Sequence, residues 1–243
     1  MPRANVKDKR KAQLIAATIE SIGKRGLQET TITHISKGAG MSRGIINFYF
    51  TSKEAMLQET LKTLVDEYNA IWQEAVPADK GLKGQGKLET IINAHFSKKL
   101  CQAKRLNVMS AFWGHAATHA AYRDVLQNSD RHLEAVLQDA WKQAGVSEQE
   151  APQVARQNHA LIRGLWLAFM LSPQETDRDV LATECRAFVA DRLGAKPTAR
   201  TERAGTAPGN VTPISVAKSQ AKKAAAKTTD GQMDIEDLFA GLK

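Results

Sequence analysis

The chain has 243 residues, 42% hydrophobic and 25% charged, with 34 Lys and Arg against 26 Asp and Glu and a formal charge of +8. That balance fits a globular protein with a sizeable core in one or two domains. It excludes a membrane-spanning helix, because no run approaches about 18 apolar residues, and a disulfide framework, because Cys101 and Cys185 are the only cysteines and share no CxxC spacing.

The N-terminal MPRANVKDKRK leads into no apolar signal-peptide stretch, so a cytoplasmic location is expected. The charge is unevenly spread. Residues 1–53 carry ten basic and three acidic side chains, residues 54–194 carry 16 and 18, residues 195–229 carry seven and one, and residues 230–243 carry one and four. A basic end beside a near-neutral middle fits a polyanion partner for residues 1–53; the alternative is a surface charged only for solubility.

In chain order, Leu14, Ile15, Ile19 and Ile22 recur at helical steps over 6–25, closed by Gly26. Thr30, Thr31 and Thr33 offer caps for a short helix bearing Ile32 and Ile35, ended by Gly38-Ala39-Gly40. Ser42 caps a third helix, Arg43 to Phe50, and Ser52 a fourth that carries Met56, Leu57, Leu61, Leu64, Val65, Tyr68 and Trp72. After a break at Pro77–Gly86, further helical patterns cover 88–100, 106–113, 120–144, 148–171 and 177–193. With no convincing strand, the expected fold is all-α with about nine helices. Only Val211, Ile214 and Val216 are large and apolar in 195–229, too few to offset ordering entropy, so 195–243 is expected to be a disordered basic tail. Its acidic end places Ile235, Leu238, Phe239 and Leu242 on one helical face, either a docking segment or a frayed terminus.

Two short helices joined by a tight glycine-containing turn make a helix-turn-helix, whose second helix enters the DNA major groove N-terminus first. Here Gly40 supplies a positive φ, Met41 plugs the core, and the reading helix opens at Ser42-Arg43-Gly44. Arg43 can bond guanine with two donors, and Asn47, one turn later, can pair with adenine. Thr31, Thr33, Tyr49 and Lys53 lie where phosphates would run. The expected domains are 1–53 for DNA, 54–194 for effector binding and dimerisation, and the 195–243 tail. The basic tail either adds phosphate contacts or is only solvated.

Residues 39–57, AGMSRGIINFYFTSKEAML, with Gly26 and Thr30-Thr31-Ile32 upstream, resemble the signature of TetR-family transcriptional regulators. Gly44 to Phe50, Ser110 to Gly114 and Ile162 to Leu167 are similar to the BetI-like subgroup, repressors of choline–glycine betaine genes. The resemblance spans about residues 7–193. One position departs: Arg163 stands where an acid commonly precedes Gly-Leu-Trp.

The resemblance implies a repressor, not an enzyme, that binds a double-stranded, pseudo-palindromic DNA operator as a homodimer and is released by a small molecule, choline or a related quaternary ammonium compound. A TetR-type regulator of an unrelated pathway with another effector is the alternative, and an enzyme using the apolar pocket, which no motif supports, is a remote one. The 54–194 region holds ten of the 14 aromatics. Phe112, Trp113, Tyr122 and Trp166 are cage candidates through cation–π attraction, or else ordinary core. Leu161, Leu165, Phe169 and Phe188 are candidates for a two-fold interface, with Gly164 allowing close approach, or else complete a monomer core.

No catalytic constellation, metal site or cofactor is expected. Gly81 to Lys87 matches G-x-x-x-x-G-K but lacks the following Ser or Thr and a preceding strand. His115 and His119 have an i, i+4 spacing without His-Glu-x-x-His, and Gly114 is expected to break the helix beside them.

Overall fold

The computed structural model describes residues 3–77 and 81–194; the expectations for 195–243 fall outside them. Among the described residues there are nine α-helices and no strand, as the periodicity predicts. They are α1 (Arg3–Arg25), α2 (Ile32–Ala39), α3 (Arg43–Tyr49), α4 (Lys53–Ala75), α5 (Gly84–His95), α6 (Ala103–Ala116), α7 (Ala120–Gln143), α8 (Ala151–Leu171) and α9 (Arg178–Arg192). No described helix is long and apolar enough to cross a membrane.

Three apolar clusters organise the chain. Leu14, Ile15, Ile35, Ile46, Phe50 and Met56 form a small core under α1–α3 and the start of α4. A second cluster joins Ile22 and Leu27 to Leu57, Leu61, Leu64 and Val65 of α4, and to residues of α6 and α7 such as Val108, Phe112 and Tyr122. The largest gathers α5, α7, α8 and α9 around Trp72, Trp141 and Trp166. Helix α4 contributes to all three. A rigid rod of 23 residues therefore runs from the helix-turn-helix into the bundle, about 34 Å at 1.5 Å per residue.

Some boundaries depart from the sequence pattern. The fifth helix stops at His95, not at Leu100, although Phe96 and Leu100 are buried. The His95 carbonyl is taken by the Trp166 indole N–H at 3.0 Å. The apolar spacing beyond it belongs to a turn whose two ends, Phe96 and Leu100, are buried. The same helix begins earlier than expected, at Gly84. There φ is +54°, and a Cβ would lie 3.1 Å from the Gln143 carbonyl oxygen, so glycine suits the crossing of α7's end. Helix α6 runs through Gly114 to Ala116 instead of breaking there. The break falls three residues later, and His119 stands at the N-terminal boundary of α7, so His115 and His119 sit on either side of a turn and not on one helix.

Burial accounts for the cysteines. Both are free and buried, and burial pushes the Cys101 thiol up to about 11 and the Cys185 thiol up to about 12. Neither is a nucleophile at neutral pH.

Candidate nucleic-acid interface and effector recess

The helix-turn-helix is built by local chemistry. Thr31 caps α2, its side chain accepting from the His34 N–H at 3.2 Å. Gly40 takes the left-handed conformation at φ 62°, which ends α2 at little steric cost. The Ser36 hydroxyl donates to the Met41 carbonyl at 2.5 Å and tightens the turn. Ser42 caps α3 through the Ile45 N–H, and Ser52 caps α4 through the Ala55 N–H. Ile46 is buried beneath α3, which fixes the helix rotation, while Ser42, Arg43, Gly44 and Asn47 are exposed.

The remaining residues expected at DNA fall around that edge. The Thr33 hydroxyl on α2 accepts a hydrogen bond from the Arg43 guanidinium, so Thr33 steadies the side chain that heads α3. Thr31 is exposed, while Thr33, Tyr49 and Lys53 are half-buried. Lys53 donates to the Gln28 carbonyl at 3.3 Å and ties the start of α4 to the loop before α2. Sequence reasoning passed over Phe48, which is 72% exposed on α3, edge-on to Tyr49 at 5.2 Å. A large aromatic held out in solvent on a reading helix is able to cover a thymine methyl. Its signal was the position itself, one residue beyond Asn47.

The four aromatics chosen for an effector cage do not converge. Phe112 and Tyr122 are fully buried against each other, edge to face at 5.2 Å, in the cluster beside α1. Trp113 and Trp166 do come together. With Val65 and Tyr68 of α4, Met109 of α6, and Leu126, Ser129 and Asp130 of α7, they line a recess at the seam between the two bundle clusters. The recess holds about 30 Å³ of free space, room for a water or two. Tyr68 is edge-on to Trp166 at 5.8 Å, and its hydroxyl lies 2.9 Å from His95 Nε2. His95 Nδ1 is 2.7 Å from the Ile91 carbonyl, which only accepts, so Nδ1 carries the proton and Nε2 accepts from Tyr68. Burial pushes His95 down to about 4 and keeps that ring neutral.

Arg163 completes the recess. Its guanidinium pairs with the Asp130 carboxylate and lies over the Trp113 ring, 5.2 Å from the centroid. Burial raises the Asp130 carboxyl above its ordinary value, and Arg163 pulls against that rise. One turn back on α8, His159 lies 3.1 Å from Glu134 and 3.9 Å from Asp130. Burial, and then the Arg163 charge, hold His159 below the usual histidine value.

The residues expected at a dimer interface are partly taken up by the chain's own core. Phe169 is buried, and Leu161, Leu165 and Phe188 are half-buried against the bundle core. The outer side of α8 instead shows Gly164, Leu167, Ala168 and Leu171, with Leu171 71% exposed, and Val180 is exposed on α9. Among the described residues, and apart from the adjoining stretch of α8 itself, no atom comes within 4 Å of a Cβ placed at Gly164.

Comparison with known proteins agrees with this architecture. Residues 14–60 match the model for bacterial regulatory proteins of the tetR family, and residues 84–194 match that for the BetI-type transcriptional repressor C-terminal region. The chain is 31% identical over 196 residues to the HTH-type transcriptional regulator BetI of Vibrio campbellii, covering 79% of this chain and 94% of that one. It is 27% identical over 193 residues to BetI of Escherichia coli, with 79% and 98% covered. Among solved structures, a transcriptional regulator of Pseudomonas aeruginosa PAO1 superposes with a TM-score of 0.68 at 27% identity, over 77% of this chain and 91% of that one. The transcriptional regulator FadR of Bacillus subtilis, solved in complex with stearoyl-CoA, shares the fold at a TM-score of 0.62 and 18% identity, over 73% and 96%. A capped helix-turn-helix, a helical bundle around an internal recess and these matches lead to one assignment: the chain belongs to the TetR family of transcriptional regulators, as a ligand-responsive DNA-binding protein of BetI type.

Proposed function

We propose that this regulator is a repressor that binds a pseudo-palindromic operator as a two-fold dimer, and that a small molecule entering the Trp113–Trp166 recess releases it. The observation that carries the reading is the edge of α3. Ser42, Arg43, Gly44 and Asn47 stand exposed in a row on a helix whose other side is fixed by Ile46. The domain division at residue 53 follows, with the short helices reading DNA and 54–194 sensing and pairing.

The route from recess to DNA runs along α4. Val65 and Tyr68 line the recess, and Lys53 begins the same helix where it leaves the helix-turn-helix, about 22 Å away at 1.5 Å per residue. A ligand that wedges the recess open tilts α4 and moves α3 with it. It must prefer that state over the DNA-bound state, or nothing shifts.

Choline or a related quaternary ammonium compound is the effector that the BetI resemblance favours, and the aromatic faces of Trp113 and Trp166 suit a cation. A different effector on the same scaffold is the second reading, favoured by the positive charge of Arg163 inside the recess. Fluorescence anisotropy on DNA from upstream of its own gene, titrated with choline, tests both. Operator release at saturating choline is expected. Unchanged operator affinity rejects choline, and absence of any sequence-selective binding rejects the DNA-reading role of α3.

A further inference from the structure

The recess combines what recognises an organic cation: an aromatic face, Trp113, and a carboxylate held out of bulk water, Asp130. Both are already engaged by a cation, and that cation is a side chain of the same protein. The Arg163 guanidinium lies 5.2 Å from the Trp113 ring centroid and is paired with Asp130. With it in place, about 30 Å³ remains free, too little for a quaternary ammonium group.

We propose that Arg163 is a tethered occupant of the recess, filling the place of a free organic cation, so that a ligand cation binds by exchange with it. This rests on the reading of the recess as the effector site. Three features support exchange over a permanently closed core. The Arg163 side chain is 35% exposed and Asp130 24%, so the guanidinium has a path into water that leaves the bundle packed. Among the described residues the guanidinium donates only through Nη2, to Asp130, and its other donors have no protein partner. Gly164 beside it carries no side chain that could confine the guanidinium.

The exchange is balanced in charge. One cation leaves Asp130 and another arrives, so the liganded state keeps the carboxylate compensated, and the ligand-free state with Arg163 outside, its carboxylate unpaired, is a minor one. The consequence is a tuned threshold. If the arginine lies outside the recess one-tenth of the time, the apparent affinity for any cation falls tenfold below that of the bare site. An arginine at this position therefore makes the regulator answer only to high concentrations of effector.

The test is calorimetric titration of the full chain with choline and, separately, with methylguanidinium. Arg163→Gln removes the tethered charge and should bind at least one of the two cations tenfold or more tightly than the unaltered protein. Arg163→Lys keeps a cation but lacks the planar fork, and should fall between them. Adding Asp130→Asn to the Gln variant should abolish the gain, which locates it in the recess. If the Gln variant does not fold by thermal melting, the Lys variant, which retains the charge beside Asp130, carries the comparison. Cation affinities equal within threefold in the unaltered protein and the Gln and Lys variants would overturn the tethered-occupant model while leaving the recess as a cation site. No cation binding to any of them would overturn both that model and the choline reading, and operator binding measured in parallel would show whether the DNA-reading role stands on its own.

Discussion

At the scale of single residues, hydrogen bonds decide which side chains are placed and which are only near. Arg43 heads α3 and is held by Thr33 from the neighbouring helix, so its donors are presented and not free to sweep. Arg43→Ala should lower operator affinity by about 1–3 kcal/mol with a relaxed preference at one guanine, because a bidentate base contact is lost. Thr33→Val, similar in volume, should cost about 1 kcal/mol through the lost steadying bond alone. Anisotropy on operator and on its point-substituted forms separates the two. The buried histidines predict an acid limb. The unfolded chain takes up a proton at His95 near pH 6.5, and the folded protein refuses it until about 4. Stability is then level with respect to this residue above about pH 6.5 and falls as pH drops toward 4, by about 3 kcal/mol. His159, also depressed by burial, acts in the same direction. Urea unfolding across this range should show the slope, and His95→Gln, with nothing to titrate at that site, should show less of it.

At the scale of elements, α8 has two apolar sides with different uses. Ile162, Trp166 and Phe169 face the core, and Leu161 and Leu165 flank them. The outer stripe of Gly164, Leu167, Ala168 and Leu171 is left exposed by the described residues, as is Val180 on α9. In the proposed two-fold dimer, that stripe meets its symmetry mate. Leu167→Asp together with Leu171→Asp should convert the dimer to monomer at micromolar concentration in sedimentation velocity, with the helical signal unchanged. A dimer that survives both substitutions removes the stripe from the interface. Sequence periodicity identified α8 as amphipathic and pointed to Leu161, Leu165 and Phe169, of which the chain itself buries Phe169 and half-covers the other two. An apolar pattern reports that a surface wants cover and is silent on whether the cover comes from the same chain.

At the scale of the whole molecule, charge and rigidity are divided along the chain. The net positive charge of residues 1–53 lies on the helix-turn-helix end, and the bundle sequence is near neutral. Operator affinity should therefore fall steeply with salt, by at least tenfold between 50 and 200 mM, on the order of what several phosphate contacts release in counterions. A flat salt response would contradict a DNA footprint on this end. The effector response should depend far less on salt, since the Trp113–Asp130 site is partly shielded from it.

The sequence by itself determined the all-α architecture and the reading head, because caps, a left-handed glycine and apolar steps act within a few residues of one another. Thr31, Gly40, Ser42 and Ser52 do the work that their positions foretold. Only the tertiary structure decided the effector recess. Tyr68, Trp113, Asp130 and Arg163 come from four different helices, and which of them meet depends on helix rotation and crossing, set by the summed packing of three clusters. For that reason Phe112 and Tyr122, as aromatic as Trp113 and Trp166, ended in the seam against α1. Arg163, visible in the sequence only as a reversed charge before Gly-Leu-Trp, became the cation inside the recess because its turn of α8 faces Asp130 of α7.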